Sequence, residues 1–356
     1  MTKDLDDYVQ QVCVEAKLAS KRISTADHKA KDHALLAIAA KIRKSKNEIL
    51  AANEKDLKAG ANLEDALLDR LTLNPNRIES MASGLEEVAG MPDPVGEISN
   101  LSFRPSGIQV GRMRVPIGVV AVIYESRPNV TADVSALCIK SGNAVILKGG
   151  SEAIHSNTSI LKCVRYGLEK HSLPRKAAQL VKKGREVTSA LLKKEEYIDV
   201  LVPRGGKGLI EAVSKNASMP VIKHLDGVCH VFVDSSADLS KAYDVVVNSK
   251  TQRYGTCNTM ETLLVSETIA ETFCSTLFPR LIEMGVEIRG CSRAIQFDNR
   301  VKVASNTDWY EEYLAPVLSV KIVDSLDEAI AHIEKYGSKH TDCIVTEDFS
   351  KARYFL

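Results

Sequence analysis

One cysteine stands where a nucleophile could stand. In KTQRYGTCNTMETLLVS, residues 250–266, Cys257 falls between a Gly-led turn and a strand-like run. Arg253 precedes it by four residues, and Asn258 and Thr259 follow it. A neighbouring cation lowers a thiol pKa, and backbone N–H groups at such a turn can hold a developing oxyanion. The chemistry this pattern suits is covalent acyl transfer. The alternative is a small buried apolar side chain, the commoner fate of a single Cys.

Two shorter signals suit nucleotide binding. In LKGGSEA, residues 147–153, Lys148 ends a strand-like run, with Gly149, Gly150, Ser151 and Glu152 behind it. A cation and a hydroxyl at a strand's carboxyl end suit a ribose or its 2′-phosphate; a plain Gly turn reads the same way. In VPRGGKGLI, residues 202–210, Arg204 and the Gly205-Gly206 pair open a helix directly after a strand, with Lys207 close by. N–H groups at a helix start attract an anionic diphosphate, although a capped helix on a solvated loop has the same sequence. No G-x-G-x-x-G fingerprint follows any strand-like run.

The elements that must position these residues are α/β. Residues 1–96 read as helix throughout: Thr25 is the expected cap of a helix starting near Ala26, and Asn74 followed by Pro75 is a second start. Alternation around a central Gly predicts a two-stranded hairpin over 101–115, either an edge awaiting a partner chain or an ordinary surface hairpin. Strand-like runs follow at 118–124, 143–149, 197–203 and 220–225, alternating with helical patterns at 130–141, 155–171 and 205–217. Near-continuous Val/Ile runs of this kind fit a parallel sheet covered on both faces. The alternation resumes with strands at 229–234, 260–266, 317–324 and 342–348 and helices at 237–248, 268–284 and 325–336. A boundary near Asp226-Gly227 predicts two domains, 1–226 with the helices and a nucleotide site and 227–356 with the cysteine.

Composition narrows the partners. With 356 residues the chain is long enough for two cores, and its 47 basic and 46 acidic side chains nearly cancel. No basic stripe interleaved with aromatics occurs, which argues against nucleic acid and anionic membranes. Eight cysteines without a C-x-x-C pair or a His at ligand spacing argue against a metal site and a disulfide framework. The polar start MTKDLDDYVQQ and the lack of a long apolar run argue against a signal or a membrane span, so a reducing cytoplasm is expected.

The ordered set PIGVVAVIYESRPN, LKGGSEA, the Gly205-Gly206 helix start, HLDGVCHVFVDSSADLSKA, the Cys257 segment, EEYLAPVLSV and LDEAIAHIEKYGSKHTDCIVTED resembles the aldehyde dehydrogenase superfamily from about Asp4 to the last residue. The forms ESRPN, KTQR-x-x-x-CN-x-x-ETLL and YGSKHTD are similar to a branch that reduces an acyl phosphate in proline biosynthesis. This resemblance implies two Rossmann-like parallel-sheet domains, a helical N-terminal segment and a small oligomerisation hairpin, in a homo-oligomer. It implies NADPH as cofactor and L-glutamyl 5-phosphate as substrate, reduced to L-glutamate 5-semialdehyde, with glutamate 5-kinase a further possible partner. By the same resemblance Cys257 matches the nucleophile, Lys148 and Ser151 the adenosine-ribose residues, and Glu312 the glutamate on the nicotinamide ribose. Asn129 is the candidate oxyanion-hole amide, with Arg127 competing for that place if the alignment slides by two. Arg127 and Arg253 are candidates for the substrate's phosphate or carboxylate.

Two departures from the family pattern stand out. The oxidising relatives' E-L-G-G segment, whose glutamate activates water, here reads His224-Leu225-Asp226-Gly227. A reductase of an acyl phosphate is harmed by water that would hydrolyse its thioester. The other departure is a C-terminal stretch of sheet strands and tail, expected beyond Leu356. Two alternatives remain: an aldehyde oxidiser acting on another small aldehyde, against which His224 in place of the base speaks, and a non-catalytic remnant that binds nucleotide only.

Overall fold

The computed structural model describes residues 3–63, 65–182, 184, 186–223 and 226–356. The chain divides into two compact units, Met1–His224 and Leu225–Leu356. Among the described residues no helix is long and apolar enough to cross a membrane.

The first unit begins with five helices: α1 (Lys3–Ile23), α2 (His28–Lys44), α3 (Lys46–Ala59), α4 (Asp65–Leu71) and α5 (Pro75–Gly90). The start of α5 is the one the sequence announces: Asn74 accepts from the Arg77 N–H, and Pro75 occupies the first turn, where its missing N–H costs nothing. The start of α2 is not. Asp27, not Thr25, caps it by accepting from the Lys29 N–H, while the Thr25 hydroxyl donates back to the Arg22 carbonyl. A carboxylate adjacent to the helix outcompetes a hydroxyl two residues earlier.

An antiparallel hairpin follows, β1 (Ile98–Phe103) paired with β2 (Gln109–Met113), and every residue of both strands is exposed. Then come β3 (Val119–Tyr124), α6 (Val130–Lys140), β4 (Ala144–Gly149), α7 (Ile154–Lys170), β5 (Ala178–Leu180), α8 (Glu186–Leu191), β6 (Val200–Arg204) and α9 (Lys207–Asn216). Four strands form one parallel sheet in the order β5-β4-β3-β6. All twelve residues of β3 and β4 are buried, as strands covered on both faces must be. Of the strand expected at 220–225, residues 224 and 225 lie outside the described residues, and over 220–223 only Val221 makes a bridge, to Leu201. Pro220 contributes no N–H to a ladder, and its carbonyl instead accepts from the Leu201 N–H.

The second unit contains β7 (Cys229–Val233), α10 (Leu239–Thr251), β8 (Met260–Ser266), α11 (Glu267–Glu283), β9 (Glu287–Gly290), β10 (Lys302–Val303), β11 (Val317–Val323), α12 (Leu326–Tyr336), β12 (Asp342–Val345) and α13 (Phe349–Phe355). Its six strands are parallel in the order β10-β9-β11-β8-β7-β12. Strand β8, deep in this sheet, is buried along its whole length. The short strands β5, β9 and β10 and helix α8 carry too few residues to show a period, and sequence reasoning missed them.

Candidate active site

Cys257 lies in the loop between α10 and β8, at the carboxyl end of one crossover helix. It is exposed, whereas the other seven cysteines are buried or half-buried. Burial pushes the thiols of Cys13, Cys138, Cys229 and Cys274 up to about 12 and raises those of Cys163 and Cys343. Those six are inert as nucleophiles near neutral pH.

Short hydroxyl contacts hold the Cys257 loop. Thr256 Oγ1 and Thr259 Oγ1 both donate to the Arg253 carbonyl, at 3.0 and 2.7 Å, and the Thr259 N–H donates to the Thr256 carbonyl at 3.0 Å. The Arg253 side chain is exposed, so the residue offers its backbone to the loop and leaves its guanidinium toward solvent. Beneath the loop, Cys229 Sγ donates to the Cys257 carbonyl at 3.2 Å. Gly227 packs against that same carbonyl. A Cβ there would overlap the oxygen and stand 2.8 Å from the carbonyl carbon and 2.9 Å from Glu312 Oε1. Cys257, Gly227 and Glu312 therefore converge on one spot, although they come from three separate segments.

Glu312 is held there by its neighbours. The Tyr313 hydroxyl donates to Asp308 Oδ1 at 2.8 Å and lies 2.8 Å from Ser319 Oγ. Burial alone would raise the Asp308 carboxyl, but bonds from Ser305, Arg289 and Tyr313 outweigh it and hold the group well below the usual carboxylate range. On the other side, the Leu314 N–H donates to Glu261 Oε1 at 3.2 Å. Glu261 Oε2 pairs with Lys250 Nζ at 2.6 Å, with both side chains 0–1 % exposed. Burial drives Glu261 up to about 7 and Lys250 downward, and their mutual attraction opposes both shifts. Sequence reasoning passed over this pair. The available signal was an acid inside the otherwise uncharged run METLLVS.

In the first unit, carboxylates lace the strand-end turns together. Glu152 Oε1 accepts from the Ser126 N–H and hydroxyl, at 2.7 and 2.9 Å, joining the turn after β4 to the turn after β3. Glu125 Oε2 accepts from the Gly206 N–H at 3.0 Å, joining β3 to the start of α9. One N–H of the Gly205-Gly206 helix start is thus already taken by a carboxylate. Asn129 stands at the N-cap of α6, and its Nδ2 donates to Asp133 Oδ2 at 2.9 Å. Arg127 is exposed in the same turn. Lys148 is almost wholly buried, its Nζ 2.9 Å from the Gly149 carbonyl, while Ser151 is exposed. Beside the first turns of α7 a cleft of about 590 Å³ is lined by Glu48, Lys55, His155, Lys162 and Lys182 among others. The turn after β4 fits a phosphate-bearing nucleotide: the hydroxyl at 151 is open, and the neighbouring Glu152 is bound elsewhere. His224 lies outside the described residues.

The structure thus gathers Cys257 and Glu312 in the second unit, and Arg127, Asn129, Lys148, Ser151, Gly205 and Gly206 at strand-end turns of the first.

Comparison with known proteins places the chain in a family. A family model described as "Aldehyde dehydrogenase family" matches residues 3–289. A crystal structure of gamma-glutamyl phosphate reductase from Thermotoga maritima is 40% identical, with a TM-score of 0.93 over 97% of this chain and 84% of that one. The gamma-glutamyl phosphate reductase of Saccharomyces cerevisiae is 32% identical, with a TM-score of 0.58 over 100% of this chain and 89% of the other. A glyceraldehyde-3-phosphate dehydrogenase from Methanocaldococcus jannaschii, complexed with NADP, shares the fold at 18% identity, a TM-score of 0.67, and coverage of 98% and 83%. The chain belongs to the aldehyde dehydrogenase family, oxidoreductases that use NAD(P), and within it is similar to the gamma-glutamyl phosphate reductases.

Proposed function

We propose that the protein catalyses NADPH-dependent reduction of L-glutamyl 5-phosphate to L-glutamate 5-semialdehyde and phosphate, a step of proline biosynthesis. The observation that carries this reading is the exposure of Cys257, alone among eight cysteines, on a loop braced by Gly227 and adjoining Glu312. Likeness to two gamma-glutamyl phosphate reductases supports the substrate.

Cys257 attacks the acyl carbon of the mixed anhydride, a thioester forms, and the C–O bond to phosphate breaks, releasing inorganic phosphate. The Cys257 N–H and the Asn129 amide are the proposed oxyanion donors, and Arg127 and Arg253 the proposed partners of the substrate's anionic groups. NADPH, when bound, supplies the hydride that reduces the thioester carbonyl. Release of the aldehyde returns the Cys257 sulfur as thiolate. Lys148 and Ser151 would hold the adenosine ribose, the Gly205-Gly206 turn the diphosphate, and Glu312 the nicotinamide ribose. The open hydroxyl at 151, with the neighbouring Glu152 bound to Ser126, favours a 2′-phosphate over a bare ribose. Eight free thiols suit a reducing cytoplasm.

The exposed hairpin β1–β2 presents Ile98, Leu101, Phe103, Val110 and Met113 to solvent, an apolar surface suited to a second copy of the chain. Following NADPH formation from semialdehyde and NADP⁺ with and without phosphate tests the reaction. Strict phosphate dependence is expected, and phosphate-independent oxidation would replace this reading with a hydrolytic one.

A further inference from the structure

The buried ion pair of the second unit has a location that stability does not explain. Lys250 lies in the last turn of α10 and Glu261 is the second residue of β8, so the pair closes the loop 252–259 that carries Cys257 at both its ends. The carboxylate has a second tie: its other oxygen takes the Leu314 N–H. Leu314 has φ of 49°, a left-handed conformation unfavourable for a bulky side chain, and its N–H is the one that the Glu261 carboxylate takes. Glu312 is two residues upstream of Leu314, and its Oε1 borders the position that Gly227 leaves open against the Cys257 carbonyl. Lys250 Nζ also lies 6.0 Å from the centre of the Tyr313 ring. One carboxylate thus anchors both the thiol segment and the segment of the nicotinamide-ribose glutamate.

We propose that Glu261 is a positioning residue, kept buried by its pairing with Lys250, whose carboxylate ties the loop presenting Cys257 to the segment 311–316 presenting Glu312. Rigid spacing between a nucleophile and the group that seats a cofactor matters because displacement of about 1 Å can cost on the order of a hundredfold in rate. Stability alone does not call for such a pair: replacing both partners of a buried ion pair by hydrocarbon of similar volume is often neutral or stabilising, whereas removing one strands a buried charge. The inference rests on the roles proposed above for Cys257 and Glu312.

Three forms of the full chain test it: wild type, Lys250→Met/Glu261→Leu, and Lys250→Met/Glu261→Gln. None of the three leaves an unpaired charge in the core, but only the first and third keep an oxygen facing the Leu314 N–H. Hydrogen exchange followed by mass spectrometry reads the 311–316 segment without any cofactor. The Leu variant is expected to exchange there at least about tenfold faster, with strands β8 and β11 unchanged, and the Gln variant to restore protection. The Michaelis constant for NADPH should rise about tenfold or more in the Leu variant and return toward wild type in the Gln variant, as a role confined to stability would not require. Unchanged exchange and an unchanged constant in a folded Leu variant overturn the proposal. Should that variant not fold, wild type decides: the 252–259 and 311–316 segments should open together as denaturant is raised, and independent opening overturns the proposal. Failure of wild type to turn over acyl phosphate would instead reject the reaction, leaving the exchange result to judge the tie.

Discussion

Replacing Gly227 by alanine perturbs the candidate site by a single methyl group. Gly227 is outside the left-handed region, so alanine meets no backbone penalty and the effect is steric. Ordinary contact begins near 3.4 Å, yet the new Cβ would stand 2.8 Å from the Cys257 carbonyl carbon, 2.9 Å from Glu312 Oε1, and within the carbonyl oxygen. Glu312 can swing aside, because its carboxylate ends a flexible side chain. The Cys257 carbonyl is backbone and yields only if the loop moves, which also breaks its bond from Cys229 Sγ. A loop shift of roughly 1 Å predicts a loss on the order of 10²-fold in turnover. Overpacking adds about 1–3 kcal/mol of destabilisation. Gly255→Ala, in the same loop with no atom within 4 Å of its added methyl, is the control and should be near wild type. Phosphate-dependent semialdehyde oxidation, read by NADPH absorbance, and a thermal melt measure both quantities. Wild-type turnover and melting in Gly227→Ala would refute the convergence of these segments on the nucleophile.

Other consequences follow from the same physics. Ser151→Glu places a carboxylate where the 2′-phosphate is proposed to sit, and should weaken NADPH about tenfold while leaving NADH little changed, by fluorescence titration. Burial, and then His230 and nearby lysines, hold His332 down at about 3, so it stays neutral in the fold while the unfolded chain takes up a proton below about 6.5. Stability should be complete above that pH and fall toward about pH 3, by up to about 1.4 kcal/mol per pH unit. His332→Phe should flatten that slope in urea unfolding, and an unaltered slope would reject the assignment. Phe103, 76% exposed on the hairpin, should be needed for self-association if the hairpin pairs copies: Phe103→Glu is expected to lower the mass measured by light scattering.

The sequence made legible what depends on long, regular patterns. Buried strands such as VVAVIY and METLLVS announce themselves, and the Asn74-Pro75 start is a purely local signal. Gly227 could be seen as a glycine, but its reason, a carbonyl brought in from thirty positions away, is tertiary. Likewise Glu261 reads only as an oddity within an otherwise uncharged strand until the fold supplies Lys250 on one side and Leu314 on the other. The carboxylate ties from Glu125 and Glu152 are missing from any motif because each joins turns at the ends of different strands. Thr25 misled because capping preference alone does not decide between two nearby acceptors.

Acylation of Cys257 is the most direct test of the chemistry. Protein mixed with L-glutamate 5-semialdehyde and NADP⁺, without phosphate, should stall as the thioester, and acid quenching followed by peptide mass spectrometry would find it. The account predicts a glutamyl adduct on the Cys257 peptide that disappears when phosphate is added and never forms in Cys257→Ala. An adduct on another cysteine, or phosphate-dependent turnover that survives Cys257→Ala, would contradict it.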